Sequence, residues 1–302
     1  MKHLLKLSDL TSEEIFAILD LADQLKYERK NGIPHPHLAG KSIGLIFEKS
    51  STRTRVSFET GIYQLGGQPI FLSSRDLQIG RGEPVQDTAR VLSRYLDGIM
   101  IRTYEQKEVE DLAKYGSIPI INGLTDYCHP CQVLADLMTA REKFATLEGI
   151  KLAYIGDGNN MTNSLIVGCL KTGMKISVAC PEGYLPDAEI LAWAKENPNF
   201  ELTTDPKVAV AGADVVYTDT WASMGQEDEK EARIKAFQGY QVNDELMALA
   251  NPKAIVQHCL PAYRGQEITD EVFEAHADEL FDEAENRLHA QKAVMVMLMK
   301  DH

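Results

Sequence analysis

Two arginines and three hydroxyl side chains are interleaved within the segment Ser51-Thr-Arg-Thr-Arg55 of this 302-residue chain. Apolar residues at 43–47 predict a buried strand before the segment, and apolar residues at helical spacing predict a helix after it. A helix start exposes unpaired backbone N–H groups and a partial positive charge. Hydroxyl donors and guanidinium forks at this position favour a doubly charged tetrahedral anion, so the segment predicts a phosphate site. The plainer alternative is an N-cap followed by a solvated basic turn.

Three further polar residues lie where predicted strands end or where the next helix starts. Arg102 closes a strand over residues 98–102, and His129 and Gln132 stand at the start of a helix over about 131–143. Strand and helix alternate along the chain, which favours parallel sheets that bind ligands beyond the carboxyl ends of their strands. These residues are therefore predicted to meet the 51–55 segment at one sheet edge. A histidine near a helix N-terminus favours its neutral form, which can donate a hydrogen bond to a carbonyl oxygen.

The strand–helix pattern stops near residues 147–149 and then restarts. We therefore predict an α/β protein with two doubly wound parallel-sheet domains linked by helices, over residues 1–146 and 147–283. A largely apolar final helix is predicted from about residue 284 to 299. The segment 284–302 is expected to pack back on the first domain.

The composition restricts the partners that the protein can have. The formal net charge is −14, so the arginine-rich segment is a local positive spot that suits a small anion better than a nucleic acid. The sequence has no apolar run approaching the roughly 18 residues that span a bilayer. Residues 1–9 lack the pattern of a signal or transit peptide. We expect a cytoplasmic protein that binds neither nucleic acid nor membrane.

Five cysteines are present, and two of them form the motif Cys128-His-Pro-Cys131. In the cytosol we expect all of them to be thiols. A redox pair at a helix start is one alternative, and half of a metal site completed by His258 and Cys259 is another. The sequence has no second C-x-x-C motif and no thioredoxin-like pattern around this one. The prediction is therefore that the protein uses no metal and no cofactor.

The segment Gly156-Asp-Gly-Asn-Asn160 follows a predicted strand and opens a helix, as a dinucleotide-binding loop does. That fingerprint requires a third glycine where Met161 stands and an acidic residue where Cys180 ends the next strand. Both departures disfavour a nucleotide. Asn159 and Asn160 at the helix start can instead bind a carboxylate or cap the helix.

Asp219, Ser223 and Met224 lie where another predicted strand, over residues 214–218, leaves the sheet. A carboxylate there can pair with a substrate ammonium, and an ordinary loop aspartate is the alternative. The glycine and the charged run that follow suggest a mobile loop over residues 219–231, whose closing would exclude water. Cys259 ends a further strand, either as a small core residue or as a sulfur in contact with a substrate amine.

Four motifs in order along the chain resemble those of the aspartate/ornithine carbamoyltransferase family: Ser51-Thr-Arg-Thr-Arg55, His129-Pro-Cys-Gln132, Asp219-x-x-x-Ser-Met-Gly225 and His258-Cys-Leu-Pro261. The last two resemble the ornithine-using members. The resemblance covers nearly the whole chain. It implies two α/β domains hinged by helices, a homotrimer with active sites at subunit boundaries, and transfer of the carbamoyl group of carbamoyl phosphate to the δ-amine of L-ornithine, which yields citrulline for arginine metabolism.

The resemblance also implies roles for individual residues. The phosphate of carbamoyl phosphate would be held by Ser51, Thr52, Arg53 and Thr54, and its carbonyl and amide ends by Arg102, His129 and Gln132. Further ligands of carbamoyl phosphate would be Arg287 and Gln78, the latter from a neighbouring subunit. The α-amino and α-carboxyl groups of ornithine would be held by Asn160, Asp219, Ser223 and Met224. Cys259 and Leu260 would lie near the reacting amine and the carbamoyl phosphate, and the catalytic residues would be Arg102, His129 and Cys259.

Several alternatives stay open at this point. Within the family the acceptor can be putrescine or aspartate, although Asp219 with the Ser-Met-Gly element favours an amino acid bearing a second amine. Outside the family, a nucleotide-binding α/β dehydrogenase and a two-domain binding protein without catalysis share the predicted fold.

Overall fold

A computed structural model of the chain describes residues 1–75, 77, 82–222 and 229–300. Gln78, Ser223 and Met224 of the predicted site lie outside the described residues. The chain forms two units: unit 1 comprises Met1–Met138 and Asn286–His302, and unit 2 comprises Thr139–Glu285. Both boundaries fall within helices, which are α5 (Pro130–Phe144) and α12 (Ala277–Met299).

Unit 1 is built on a parallel sheet of four strands in the order β2-β1-β3-β4. The chain leaves β1 for β2 on one side and reaches β3 on the other, so the order of strands reverses between β1 and β3. The two strands pair in register from Ile43 with Gly98 to Phe47 with Arg102. The elements of this unit are α1 (Ser12–Lys30), β1 (Ser42–Phe47), α2 (Thr52–Gln64), β2 (Gln68–Ser73), α3 (Val85–Leu92), β3 (Gly98–Arg102), α4 (Gln106–Tyr115), β4 (Ile120–Leu124) and parts of α5 and α12.

Unit 2 contains a parallel sheet of five strands in the order β7-β6-β5-β8-β9. Here the order reverses between β5 and β8, whose residues pair from Leu152 with Val215 to Ile155 with Thr218. Its elements are β5 (Lys151–Ile155), α6 (Asn160–Lys171), β6 (Lys175–Ala179), α7 (Ala188–Ala194), β7 (Phe200–Thr203), α8 (Pro206–Val210), β8 (Val215–Thr218), α9 (Lys230–Ala236), α10 (Asp244–Met247), β9 (Ile255–Gln257) and α11 (Asp270–Ala275), with parts of α5 and α12.

Each unit has its own apolar core. In unit 1, Ile46 of β1 and Ile101 of β3 are buried in the same cluster as Val109 and Leu112 of α4. In unit 2, Trp221, Phe237 and Tyr240 form successive ring contacts, with centroids 5.8 Å and 6.0 Å apart. The predicted fold class, two doubly wound parallel sheets with flanking helices, is confirmed. No helix in the part of the chain that the structure describes is long and apolar enough to cross a membrane.

Two predicted elements begin at other residues than expected, and one short helix was not predicted. The last helix begins at Ala277, not near residue 284, because its first turns carry acidic residues instead of the apolar pattern. The apolar residues of segment 118–122 predict a strand from residue 118, but β4 begins at Ile120, since Pro119 has no N–H to donate to a strand ladder. The short helix α11 was not predicted. Thr269 caps it by accepting a hydrogen bond from the Val272 N–H at 3.3 Å.

Candidate active site

The predicted phosphate segment forms the start of α2. Ser51 is the N-cap, and its Oγ accepts a hydrogen bond from the Thr54 N–H at 3.2 Å. Thr52 and Arg53 are the first two residues of the helix, where Thr52 is exposed and Arg53 is half-buried. Thr54 is fully buried. Ser51 is thus an N-cap, as the plainer alternative had it, but the turn is not fully solvated because Thr54 is buried. A cap satisfies only part of the donors at a helix start.

Two buried arginines converge on the hydroxyl of Thr54. Arg102, at the end of β3, places Nη1 3.5 Å from Thr54 Oγ1, and Arg287 of α12 places Nη2 3.2 Å from the same atom. Arg287 Nη1 also donates to Gln132 Oε1 at 2.6 Å. Only 7% of Arg102 and 3% of Arg287 are exposed. Like charges held this close repel each other, and an anion at this point would relieve the repulsion.

His129 lies directly before Pro130, the first residue of α5, and is buried. Burial, followed by the positive charges of Arg287 and Arg102, lowers the pKa of His129 well below its ordinary value. The imidazole is therefore neutral at physiological pH, as predicted, and one ring nitrogen carries a proton that it can donate. The main causes are desolvation and two arginines, which the sequence-based argument from the helix terminus did not include.

Arg55 does not join this cluster. Its Nε donates to Glu59 Oε1 at 3.0 Å, and its guanidinium lies 3.6 Å from the ring centroid of Phe71. The expectation that Arg53 and Arg55 together supply the positive charge is therefore wrong for Arg55. A residue two positions along a helix from Arg53 points to a different side, and the additional charge comes from Arg102 and Arg287.

The two cysteines that flank His129 are held in a buried polar network. Asn122 Nδ2 lies 3.3 Å from Cys128 Sγ, and Cys131 Sγ donates to the Asn122 carbonyl at 3.4 Å. Burial raises the pKa of each thiol to about 12. Since the thiolate is the reactive form, these values argue against the redox interpretation of the C-x-x-C motif.

Asp219 is the centre of a second cluster, which lies in unit 2 at the ends of β5, β8 and β9. Asn159 caps α6 through Oδ1, and its Nδ2 donates to Asp219 Oδ2 at 2.8 Å. Cys259 Sγ donates to Asp219 Oδ1 at 3.0 Å, and the Thr220 N–H donates to the same oxygen at 2.7 Å. The structure therefore brings Asp219 and Cys259 into direct contact, while Asn160 is the first residue of α6, half-buried beside the capping Asn159.

The backbone after β9 is held by a buried carboxylate–imidazole pair. His258 Nε2 lies 3.1 Å from Glu267 Oε1, and His258 Nδ1 accepts a hydrogen bond from the Leu260 N–H at 2.8 Å. Nδ1 is thus an acceptor, which assigns the proton of a neutral ring to Nε2. Leu260 has φ +56, in the left-handed region, and this hydrogen bond stabilises it there. The hydrogen bond thereby fixes the backbone conformation directly after Cys259.

The side chains of Asp219, His258 and Cys259 offer ligand atoms within 4.8 Å of one another, which is close enough to consider a metal ion. Both ring nitrogens of His258 already take part in hydrogen bonds, with Glu267 and with the Leu260 N–H. A metal would have to displace one of these bonds to reach a nitrogen lone pair. The donor set therefore fits a hydrogen-bonded polar cluster better than a metal centre.

The glycines of the 156–160 segment have structural reasons that involve no nucleotide. Gly156 has φ +148, and a Cβ on Gly158 would lie 2.2 Å from the Leu185 carbonyl carbon and the Pro186 nitrogen. Gly158 thus lacks a side chain because the backbone at residues 185–186 passes close to it, and no nucleotide is needed to explain the glycine. Between these glycines, Asp157 forms a buried ion pair with Arg233 at 2.9 Å. Arg233 also donates to the Trp221 carbonyl at 3.0 Å.

The residues that the sequence analysis missed lie one helical turn from residues that it identified. Gln291 accepts from Arg287, and Asp136 accepts from Gln132 at 2.8 Å, both at the i, i+4 spacing. Asn159 was considered as a cap but not assigned to the site. The i, i+4 spacing on a helix was the sequence feature that could have identified Gln291 and Asp136.

Comparison with known proteins agrees with this geometry. Residues 2–142 match the carbamoyl-P binding domain of the aspartate/ornithine carbamoyltransferase family, and residues 148–298 match its Asp/Orn binding domain. The chain is 58% identical to the ornithine carbamoyltransferase of Oceanobacillus iheyensis over 305 residues, which covers 99% of this chain and 95% of the relative. It is 54% identical to that of Thermococcus kodakarensis, with 99% and 96% covered.

Solved structures give the same result. The ornithine carbamoyltransferase of Pyrococcus furiosus superposes with a TM-score of 0.94 at 52% identity, covering 99% of this chain and 97% of the other. The anabolic ornithine carbamoyltransferase of Campylobacter jejuni superposes with a TM-score of 0.94 at 43% identity, with both chains fully covered at 100%. Since the family match extends over both halves and the relatives are matched over nearly their full length, the chain belongs to the aspartate/ornithine carbamoyltransferase family.

Proposed function

We propose that the protein is an ornithine carbamoyltransferase, which transfers the carbamoyl group of carbamoyl phosphate to the δ-amine of L-ornithine and releases L-citrulline and phosphate. The observation that carries this proposal is the convergence of two buried guanidinium groups on Thr54, beside the neutral His129. Relatives that are 54% to 58% identical over 99% of the chain bear this enzyme's name. The anabolic relative from Campylobacter jejuni supports a place in arginine biosynthesis.

Unit 1 supplies the groups that suit carbamoyl phosphate. The start of α2, with Ser51, Thr52, Arg53 and Thr54, offers backbone and hydroxyl donors to the phosphate. Arg102 and the neutral His129 can both donate to the carbonyl oxygen, where negative charge develops during attack. Gln132 and Arg287 complete the set, with Gln132 suited to the amide end and Arg287 to the anion.

Unit 2 supplies the groups that suit an amino acid. Asp219 offers a carboxylate to the α-ammonium of ornithine, and Asn160 stands at the start of α6, where a carboxylate is favoured. Ser223 and Met224 are assigned to the same substrate by their motif. Cys259 and Leu260 are assigned to the neighbourhood of the reacting amine. Their backbone is held by the His258–Glu267 pair.

The reaction needs positioning and charge stabilisation more than proton transfer by the protein. The δ-nitrogen of ornithine attacks as the free amine and forms the new N–C bond with the carbonyl carbon. The bond from that carbon to the phosphate oxygen breaks, and phosphate leaves with the electron pair. The proton lost by the nitrogen passes to the departing phosphate or to water. Preorganised donors at the oxyanion and the leaving group are the main source of rate enhancement.

We further propose that the protein is a homotrimer in the cytoplasm and that Gln78 serves a neighbouring subunit's carbamoyl phosphate. Several large apolar side chains near the β2 edge of unit 1 support an interface there: Tyr63 is 77% exposed, Val56 is 54% exposed, and Ile70 and Phe71 are each 37% exposed. Such a surface is typical of contact with another protein chain. Light scattering coupled to size-exclusion chromatography tests the trimer, and a mass of one chain would contradict it.

The proposed division assigns carbamoyl phosphate to residues 1–146 with the C-terminal segment 284–302 packed against them, and ornithine to residues 147–283. The hydrogen bonds of Arg287 to Thr54 and Gln132 support the place of the C-terminal segment. The family domains matched at 2–142 and 148–298 support the assignment of each substrate.

Citrulline formation from carbamoyl phosphate, with ornithine, putrescine and aspartate as competing acceptors, tests the function. We expect turnover with ornithine, and faster turnover with either other acceptor would contradict the proposal. Arg53→Ala should lower kcat by roughly a hundredfold or more, because it removes a charged donor from the leaving group. Arg55→Ala is a matched control, since Arg55 pairs with Glu59 instead, and it should retain activity. Near-normal activity of Arg53→Ala would exclude Arg53 as a phosphate ligand.

A further inference from the structure

All three nitrogens of the Arg287 guanidinium take part in hydrogen bonds within unit 1. Nη1 and Nη2 reach Gln132 and Thr54, and Nε donates to Gln291 Oε1 at 3.0 Å. Gln291 lies one turn further along α12 and is fully buried. Hydrogen bonds at all three nitrogens restrict the rotation of this planar group about its long axis.

Gln291 connects Arg287 to the phosphate-binding helix. Its Nε2 donates to Ser57 Oγ at 2.7 Å, and Ser57 Oγ donates to the Thr54 carbonyl at 3.2 Å. Since Arg287 only donates, Gln291 must present its oxygen to Arg287 and its nitrogen to Ser57, so the orientation of the amide is determined. The hydrogen bonds form a closed ring through Arg287, Gln291, Ser57 and Thr54.

We propose that Gln291 and Ser57 are positioning residues that orient the Arg287 guanidinium toward the phosphate-binding end of α2. The proposal rests on the proposed function, because Arg287 is there a ligand of carbamoyl phosphate. An arginine that is already oriented loses little conformational entropy when the anion binds. The lower entropic cost makes the anion bind more tightly. Neither residue needs to touch the substrate, because each acts through Arg287.

The change Gln291→Met tests the proposal, because methionine has a similar length and makes neither hydrogen bond. We expect the dissociation constant of carbamoyl phosphate to rise about tenfold, which is the lower end of the effect that residues orienting metal ligands have at metal sites. The KM for ornithine should stay within about twofold. Calorimetric titration with carbamoyl phosphate alone measures the first quantity, and initial rates measure the second.

Gln64→Met is a matched control. Gln64 belongs to the same pair of helices, since its Oε1 accepts a hydrogen bond from Lys292 Nζ at 3.0 Å. The identical substitution removes a hydrogen bond between α2 and α12 without touching the ring of hydrogen bonds around Arg287. The binding of carbamoyl phosphate by this variant should equal that of the wild type, even where its thermal midpoint falls.

Gln291→Glu separates orientation and charge from general stability. A carboxylate still accepts from Arg287 Nε and pairs with its charge, so the thermal midpoint should be equal to or higher than that of Gln291→Met. The same charge opposes an incoming phosphate, so carbamoyl phosphate should bind more weakly than to Gln291→Met. Ser57→Ala removes the hydrogen bond from Gln291 Nε2 but leaves the one between Gln291 and Arg287. It should therefore lower the affinity for carbamoyl phosphate less than Gln291→Met does.

Wild-type affinity in Gln291→Met, or an equal loss in Gln291→Met and Gln64→Met, would overturn the proposal. Affinity that simply follows the thermal midpoint across all the variants would also overturn it. The proposed function fails separately, if the wild type binds carbamoyl phosphate but forms no citrulline from ornithine. In that case the binding comparison still decides the role of Gln291. A wild type that does not bind carbamoyl phosphate ends both proposals.

Discussion

The neutral state of His129 predicts a specific pH dependence of stability. The folded protein keeps the pKa of His129 well below its ordinary value, through burial and the charges of Arg287 and Arg102. In the unfolded chain the same histidine titrates near its ordinary pKa of about 6.5. Below that pH the unfolded chain binds one proton that the folded protein does not bind. Stability is therefore lost as the pH falls through about 6.5, and the loss ends only at the lower pKa of the folded state.

The magnitude follows from proton linkage. A site that is protonated only in the unfolded chain costs almost nothing at pH 7.5 and about 1.4 kcal/mol at pH 5.5. His129→Gln keeps a side chain that can donate a hydrogen bond but removes the titration. Urea unfolding of the wild type and of the variant at both pH values measures the two losses. We expect the wild type to lose about 1.4 kcal/mol more than the variant between pH 7.5 and pH 5.5.

The experiment compares the loss of stability between two pH values in the wild type with the same loss in the variant, so contributions shared by both proteins cancel. His3 and His37 also have lowered pKa values, mainly through burial, but both are present in each protein, so their contributions cancel. Any cost of the substitution to packing appears equally at both pH values and cancels as well. Equal losses in the two proteins would mean that His129 takes up its proton in the folded state. The imidazole would then be no neutral donor, and its place in the proposed mechanism would have to change.

Two further predictions concern backbone packing and thiol reactivity. Gly158→Ala should lower the free energy of unfolding by about 2 kcal/mol or more, because the new Cβ would lie 2.2 Å from the backbone at Leu185. Gly212→Ala has open space around it but a left-handed backbone with φ +65, so it should cost only the roughly 1 kcal/mol of that conformation. An equal cost for the two substitutions would contradict the steric argument. Iodoacetamide at pH 8 should modify the half-buried Cys259 before Cys128 or Cys131, whose thiols have pKa values of about 12. Peptide mass spectrometry measures the order, and early labelling of the C-x-x-C pair would revive its redox interpretation.

The topology of the sheets explains why much of the candidate site could be predicted. Thr54 follows β1, and Arg102 ends β3, on the two sides of the point where the strand order reverses in unit 1. Asn159 follows β5, and Asp219 follows β8, at the equivalent point in unit 2. Ligands of doubly wound sheets lie at such points. Alternation of strands and helices was readable from the sequence, so the grouping of Arg102 with the segment after β1 followed from a general rule. The grouping of Asn159 with Asp219 was found only in the structure.

Contacts between distant helices could not be predicted in the same way. Arg287 is 155 residues from Gln132 and 233 residues from Thr54 along the chain, yet it donates to both. Local spacing gave no information about which face of α12 packs on α2. Conversely, Arg55 belongs to the same short motif as Arg53 but faces Glu59 and Phe71. Residues two positions apart on a helix point to different sides, and the neighbours that each side meets depend on how the helix is packed.

The sequence by itself determined the α/β class, the four motifs and the residue types that suit a phosphate and an amino acid. These properties depend on local composition, on the period of apolar residues and on helix ends, all of which involve neighbours along the chain. Only the tertiary structure decided which cations meet at Thr54, why His129 is neutral, and how Arg287 and Gln291 reach Thr54 and Ser57. Charge, desolvation and hydrogen bonding act between atoms that are close in space, and folding brings those atoms together from opposite ends of the chain.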